Sequence, residues 1–599
     1  MSKASLELGG GNWGTKDGNL LAYAQGNESS NLVPREFTFT RGSDIAATRV
    51  DVNGLIEKGR ENLLTYSNYF SGWSNVDVTY TSGQSGYDGS NNAWLYDGNL
   101  GYSYQIQSRT GVITFSVYAK AGSADGIRLR LDEAAPTQDV NGYFNLVTGT
   151  IINLTGSGAI DSNIESVGGG WYRCSVTMNA VSLANVRLYV IDDAGVSVVG
   201  TIYIQDAQLE AGLVATSYLE SGATTATSGV ADNEPRINYA GGTASLLLEP
   251  SRTNIATYSE YMLGFNKGSA SSLEANAAIS PDGKSNATYF YCNTTTTNAY
   301  LLPSFSGTSG VQYAVSFYAK AKELNRIYIK NVNDSGSQSW FDLSDDGTYN
   351  LLSGIDSMSI ELAGDGWYRC TAVSTSTTTG IKWIPILKGD ANEGVYVYGL
   401  QIEQASYSTS YIPTYGTSVT RSFDYSIVES LGYSSTCTFY YEFNTTTGRE
   451  ASSPFAEVGK DTSNKFYIKG ASTNNPQFQI QGNGIFSGSI SPTNEISGIN
   501  KIAVQWSSGV GVVFCNGVKQ SGTLANSNTS ENIDFIAIKG EGTLHDSKKL
   551  LFFPTAITDR ELVDLTSPYS TYQELVTAEG LTWESPTCTT NSITELQSI

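Results

Sequence analysis

Along Ile113–Lys120 apolar and polar side chains alternate. Ile113, Phe115, Val117 and Ala119 fall on one side of an extended chain, and Thr114, Ser116, Tyr118 and Lys120 on the other. A period of two marks a strand with one buried face. The pattern returns in Val315, Phe317 and Ala319 against Ser316, Tyr318 and Lys320. Helical periodicity is hard to find, and Gly, Asn, Ser and Thr punctuate the apolar runs. An all-β chain of short strands and tight turns is therefore expected.

The recurrence extends well beyond one strand. "LIEKGRENLLTYSNYFSGW" (55–73) is answered by "LLEPSRTNIATYSEYMLGF" (247–265) at an offset of 192 residues. "FSVYAKA" (115–121) is answered by "VSFYAKA" (315–321), "GGGWYRCSV" by "GDGWYRCTAV", and "IYIQDAQLEAGLVATSYLESGAT" (202–224) by "VYVYGLQIEQASYSTSYIPTYGT" (395–417). Landmarks repeated in one order mean a duplicated module. Its length suits a jelly-roll sandwich of two packed antiparallel sheets. The predicted boundaries are 37–228 for module 1 and 229–421 for module 2.

After Arg421 the landmarks stop. Strands at "CTFYYEF", "KFYIKG", "KIAVQW" and "GVVFCNGVKQSG", then "IDFIAIKG", "KKLLFFPTAI" and a short helix-like "TDRELVDLTS", predict a second type of sandwich over 422–575, with 576–599 as a C-terminal tail. Asn516-Gly517 suits a hairpin turn with positive φ. Residues 1–36 are glycine-rich and short of apolar pattern. Alone they could not bury a core, so they are expected to be an arm, ordered only if another part of the chain or a partner holds it.

The chain has 599 residues and a formal charge of −22, from 35 basic and 57 acidic side chains. Clustered Lys and Arg are lacking, so nucleic acid is not an expected partner. No apolar run approaches membrane-spanning length, and the start lacks an apolar signal core, so neither membrane insertion nor secretion is expected. Six scattered cysteines and a single histidine, His545, give no zinc-type spacing.

Together "FTRGSDIAATRVDVNGLIEKGRENLLTYSNYFSGW", "SVYAKA", "GWYRC", "AQLE" and "TSYLESGAT" resemble the modules of bacteriophage head-spike and tail-fibre proteins, which are similar to carbohydrate-binding jelly rolls. The resemblance covers residues 37–421, twice over. The third unit, through "LLFFPTAITDRELVDLTS", resembles concanavalin A-like, laminin G-like sandwiches. The resemblance implies a phage virion structural protein on the particle surface, made in the host cytoplasm. It implies a homotrimer attached to a capsid or tail protein through the N-terminal arm, with host surface glycan as its ligand. The expected chain is not an enzyme. The alternatives are a polysaccharide depolymerase and a decoration protein that binds no host molecule.

Site chemistry was sought in the repeated residues and in the unmatched ones. Trp171, Arg173 and Cys174, with their counterparts Trp367, Arg369 and Cys370, recur in both modules and read as scaffold. No histidine stands in either module to activate the thiols. Arg60 and Arg252 follow Glu57 and Glu249 by three residues and are expected to pair with them. Unmatched aromatics are the candidate sugar platforms: Trp94, Tyr96, Tyr102 and Tyr104 in a loop-rich stretch of module 1, and Trp340 and Trp383 in module 2. No cofactor is expected. Calcium is a lesser candidate at the Asp88 and Asp282 turns and at the Asp pairs 192–193 and 345–346. A glycosidase needs two placed carboxylates, but no Glu here is followed two positions later by Asp, as laminarinase-type sandwiches require.

Overall fold

The computed structural model describes residues 4–11, 13–22, 35–42, 45–134, 139–230, 233–331, 338–344, 347–377, 380–445, 453–472, 475–493, 498–542 and 544–569. The chain is an all-β protein of sandwich-like sheets, with one α-helix among the described residues, Asp559–Thr566. That helix opens on a reciprocal capping box between Thr558 and Glu561.

The stretch read as loop-rich in module 1 is instead one strand, Ala93–Ala121. It pairs with Trp171–Ile191, whose register breaks between Ala180 and Leu183, opposite Gly111. On one side of that break the partner of Trp171–Ile191 is Ala159–Gly168, and on the other it is Gly126–Glu133. The two layers of module 1 are thus joined into one hydrogen-bonded set of eight strands by these two long strands, which pass from one layer to the other at the break. Phe115, Val117, Leu129, Val176, Leu188 and Leu209 fill that core. Gly111 is required: at φ +89° its Cα faces the Tyr415 carbonyl so closely that a Cβ would stand 1.8 Å from that oxygen. Module 2 keeps two sheets, of six and seven strands, around Phe290, Val315, Phe317, Ile329, Phe341 and Ile402.

Both modules are closed by the same asparagine. Asn62 donates to the Ala207 and Leu219 carbonyls and accepts from the Leu64 amide, and Asn254 does the same with Leu400, Ile412 and Ala256. A buried amide with donors and acceptors satisfied ties the incoming segment to the last strand. This accounts for the repeated "R-x-N" in physical terms.

The described residues assigned to the N-terminal arm are instead paired into the sheets of the third unit. Leu6–Gly9 pairs antiparallel with His545–Phe553, and Arg35–Thr40 pairs with Tyr425–Val428. Leu6, Leu8, Leu20, Phe37 and Phe39 enter the same core as Phe439, Trp506, Ile538 and Phe552. The hairpin Ile237–Asn238/Ser245–Leu248 between the modules joins it too. The described strands are held because their short alternating pieces, L-x-L and F-x-F, find a strand edge far along the chain. The C-terminal tail, 576–599, lies outside the described residues.

Where these segments converge, five charged side chains are buried together. Arg41 reaches Asp424 at 3.3 Å, Arg236 bridges Asp424 and Glu249 (2.6 Å to the latter), and Arg421 reaches Glu249 at 3.0 Å. All five are at most 2% exposed. The Ser410 amide and the Glu249 amide donate to the two carboxylates. Glu249 is therefore engaged by Arg236 and Arg421 rather than by the expected Arg252. Glu57 binds Arg49 at 2.7 Å, while Arg60 donates to the Ser217 carbonyl. The expected i, i+3 pairs do not form because these residues lie on extended chain, where that spacing does not bring side chains together.

Burial opposes charge on Glu249, but Arg421 and Arg236 outweigh it and hold its carboxyl down at about 2, against an ordinary 4.5. Its folded pKa is depressed, so its stabilisation is complete above about pH 4.5 and is lost as pH falls towards 2. Replacing Glu249 with Gln leaves buried arginines short of a counter-charge. It is expected to cost about 3–5 kcal/mol in urea unfolding at pH 7, with the difference from wild type shrinking below pH 4. An unchanged midpoint at pH 7 would contradict this role.

Candidate functional site

The repeated Trp-Tyr-Arg-Cys segments lie inside the modules. Trp171 and Trp367 are buried, as are Cys174 and Cys370, whose thiols are pushed above the usual range by burial. Arg173 lies over the Tyr118 ring at 5.3 Å and donates to Ser116 Oγ, and Arg369 repeats this with Tyr318 and Ser316. Arg252 donates to the Tyr407 hydroxyl.

The unmatched aromatics part company. Tyr96 is fully buried and its hydroxyl donates to the Leu188 carbonyl, so it cannot be a surface platform. It shares the inward face of its strand with core residues. Tyr102 and Tyr104 lie side by side, with Arg187 over the Tyr102 ring at 4.5 Å. Trp340 is covered by Arg326 at 4.3 Å. The Trp383 side chain lies outside the described residues.

Trp94 lines a cavity, a cleft of about 340 Å³ on module 1. Its indole N–H donates to the Asn68 carbonyl at 3.0 Å, which satisfies its polar atom and leaves the ring as an apolar wall. Tyr69 meets that ring edge-on at 5.6 Å, and Tyr66 lies 6.0 Å from Tyr69. Tyr69 is 54% exposed and Tyr66 is 38% exposed. Tyr66 sits at φ +50°, an uncommon angle for a bulky residue, where its backbone N–H donates a hydrogen bond to the Gly222 carbonyl. Asn68, Asn91, Asn92, Ser82 and Glu220 supply the polar lining, and no lysine or arginine is among the described residues lining the cleft. An aromatic wall facing amides, a hydroxyl and a carboxylate is suited to stacking an apolar ring face while hydrogen-bonding its hydroxyl edge.

Beside the cleft, Asp206 is buried at φ +52° and accepts from the Tyr87 hydroxyl at 2.9 Å. Burial, with the charges of Asp88 and Glu220 nearby, pushes its carboxyl up to about 6.

The same place in module 2 is closed. The two modules superpose in their bonding: Ser67 and Ser259 donate their amides to the Ser221 and Thr414 carbonyls, and their hydroxyls meet Tyr218 and Tyr411 at 2.7 Å. On this register Asn68, Asn92, Trp94, Glu220 and Gly222 correspond to Glu260, Asn286, Thr288, Pro413 and Tyr415. Glu260, Asn286, Pro413 and Tyr415 line a remnant of only about 30 Å³. It is filled by Lys58, from the incoming segment of module 1, whose Nζ stands 2.6 Å from Asp282, 2.8 Å from Glu260 and 3.2 Å from the Tyr398 hydroxyl. Burial opposes both charges, yet the pairing holds Asp282 down at about 2 and Lys58 above its ordinary range.

The calcium candidates have other partners. Asp282 is held by Lys58, Asp88 accepts from the Ser90 amide and hydroxyl, and Asp192 accepts from the Ala194 and Val196 amides. The pair at 345–346 lies outside the described residues. Among the described residues no group of three or more His, Cys, Asp or Glu side chains is arranged to hold a metal ion.

No protein-family model and no curated protein matches the chain. Solved structures do. The LG1-3 region of the laminin α2 chain matches at 10% identity and a TM-score of 0.17, covering 76% of this chain and 95% of that one. Trypanosoma rangeli sialidase matches at 9% identity and a TM-score of 0.19, covering 90% and 95%. The same sialidase as its covalent intermediate with 2,3-difluorosialic acid matches at 9% and 0.16, covering 93% and 97%. The expectation that the chain is not an enzyme does not stand against these matches, since a sialidase is one. At such TM-scores the likeness assigns no activity.

Lys58 gives the test of the closed site. Lys58→Ala leaves Glu260 and Asp282 buried without their cation and is expected to destabilise the protein by about 3–5 kcal/mol. Chemical denaturation reads this directly; a variant as stable as wild type would mean that the ammonium is replaceable by water.

Proposed function

We propose that this chain is a glycan-binding protein displayed on a bacteriophage particle, a head fibre or spike or a tail fibre, attaching to host surface polysaccharide. The observation that carries the reading is the Tyr66–Tyr69–Trp94 cleft of module 1, an aromatic wall opposite amide and carboxylate groups. The virion setting is supported by the duplicated sequence landmarks. The buried apolar strands of residues 4–40 leave attachment to a capsid or tail protein to the segments around them.

A shallow single site binds weakly, and a homotrimer would present three copies at once, so avidity would compensate. Analytical ultracentrifugation is expected to give a trimer, and a monomer at micromolar concentration would remove the avidity argument.

Trp94→Ala is expected to weaken binding to the host polysaccharide about tenfold, as removal of one aromatic platform worth about 1.5 kcal/mol would do. Binding of fluorescently labelled capsule to wild type and variant measures it. Undiminished binding by the variant would place recognition elsewhere, and new reducing ends released from the capsule would make the chain a depolymerase.

A further inference from the structure

The duplication gives the chain its own comparison for the cleft, because the second copy already holds a ligand. At the module 2 position the occupant is an alkylammonium, Lys58, seated between Glu260 and Asp282. Asn286 donates to both carboxylates, so a cation there has a prearranged acidic seat. In sequence register Asn92 stands for Asn286 and Asp88 for Asp282, and the carboxylate among the described residues lining the module 1 cleft is Glu220, where module 2 has Pro413.

What differs is the plug. No lysine or arginine is among the described residues lining the cleft, and Gly222 stands where Tyr415 fills module 2. A Cβ on Gly222 would meet nothing within 4 Å. Module 1 is therefore open at the point where module 2 is stoppered. Glu220 lines the cleft, and the buried Asp206 stands behind its Asn68 wall, the Asp206 amide donating to Asn68 Oδ1. Negative charges gathered beside a cleft without a basic side chain disfavour an acidic sugar and favour a cationic one.

We propose that the module 1 cleft takes a saccharide carrying a free primary amine, its ring against Tyr69 and Trp94 and its ammonium towards Glu220. The inference rests on the glycan-binding reading and names the ligand class within it. An N-acetylated sugar of the same shape would bring an amide without charge, and a uronic or sialic acid would bring the wrong charge.

Isothermal titration of the full chain with a glucosamine tetrasaccharide and with its fully N-acetylated equivalent, at a pH where the amine is protonated, separates these cases. The free-amine sugar is expected to bind about tenfold more tightly, through charge-assisted hydrogen bonds. Glu220→Gln, at an exposed position, is expected to remove most of that preference, and Trp94→Ala to weaken both sugars. Equal or tighter binding of the N-acetylated sugar, still lost in Trp94→Ala, overturns the amine inference and keeps the glycan reading. Free-amine binding untouched by Trp94→Ala is general attraction to a chain of charge −22 and also overturns it. If neither sugar binds, the amine inference falls, and the polysaccharide measurement on Trp94→Ala decides the glycan reading by itself.

Discussion

The buried cluster of Arg41, Arg236, Arg421, Glu249 and Asp424 holds the molecule's parts in one arrangement. Its members come from three junctions: Arg41 from the end of the N-terminal strands, Arg236 and Glu249 from either side of the hairpin between modules, Arg421 and Asp424 from the passage into the third unit. Charges so deeply buried tolerate little relative movement, because losing one contact leaves another charge uncompensated. The cluster can therefore fix register where hydrophobic burial alone is tolerant of sliding. The N-terminal strands run into it: Arg35–Thr40 pairs with Tyr425–Val428, and the next residue, Arg41, meets Asp424.

Duplication with divergence explains the site. Both modules retain the closing asparagine, the buried Trp-Tyr-Arg-Cys strand and the tyrosine–serine bond at the same corner. Within that constant frame a few substitutions decide whether the corner is open. Glu260 and Tyr415 make it a socket for Lys58, which docks module 1's incoming hairpin onto module 2. Asn68, Trp94, Glu220 and Gly222 make it a cleft. One copy serves internal assembly, and the other is left facing outward.

The repeat and the all-β class were legible in the sequence, because self-similarity and local period carry them. The expected half-buried strands, however, are buried on both faces: Thr114, Ser116 and Tyr118 are covered as well as Ile113, Phe115 and Val117. The N-terminal pairing was not legible. Leu6 and Leu8 are a two-residue signal among glycines, and their partners near Phe552 lie more than five hundred residues away, beyond any local pattern. Trp94 was found because it lacks a counterpart in the other module. Tyr66 and Tyr69 were missed because they belong to the repeated "TYSNYF" and so counted as frame. Their role comes from the positive φ at Tyr66 and the glycine opposite, neither visible in a motif. Lys58 was passed over for a similar reason: its partners sit in the next module, some two hundred residues on.

The account stands on one cleft being open and its copy being closed from within. A crystal structure of the full chain with a bound fragment of host polysaccharide tests this most directly. The account predicts a sugar ring against Trp94 and Tyr69 on module 1, with Lys58 still seated between Glu260 and Asp282. Sugar bound on module 2 or the third unit, with the Trp94 cleft empty, would contradict it.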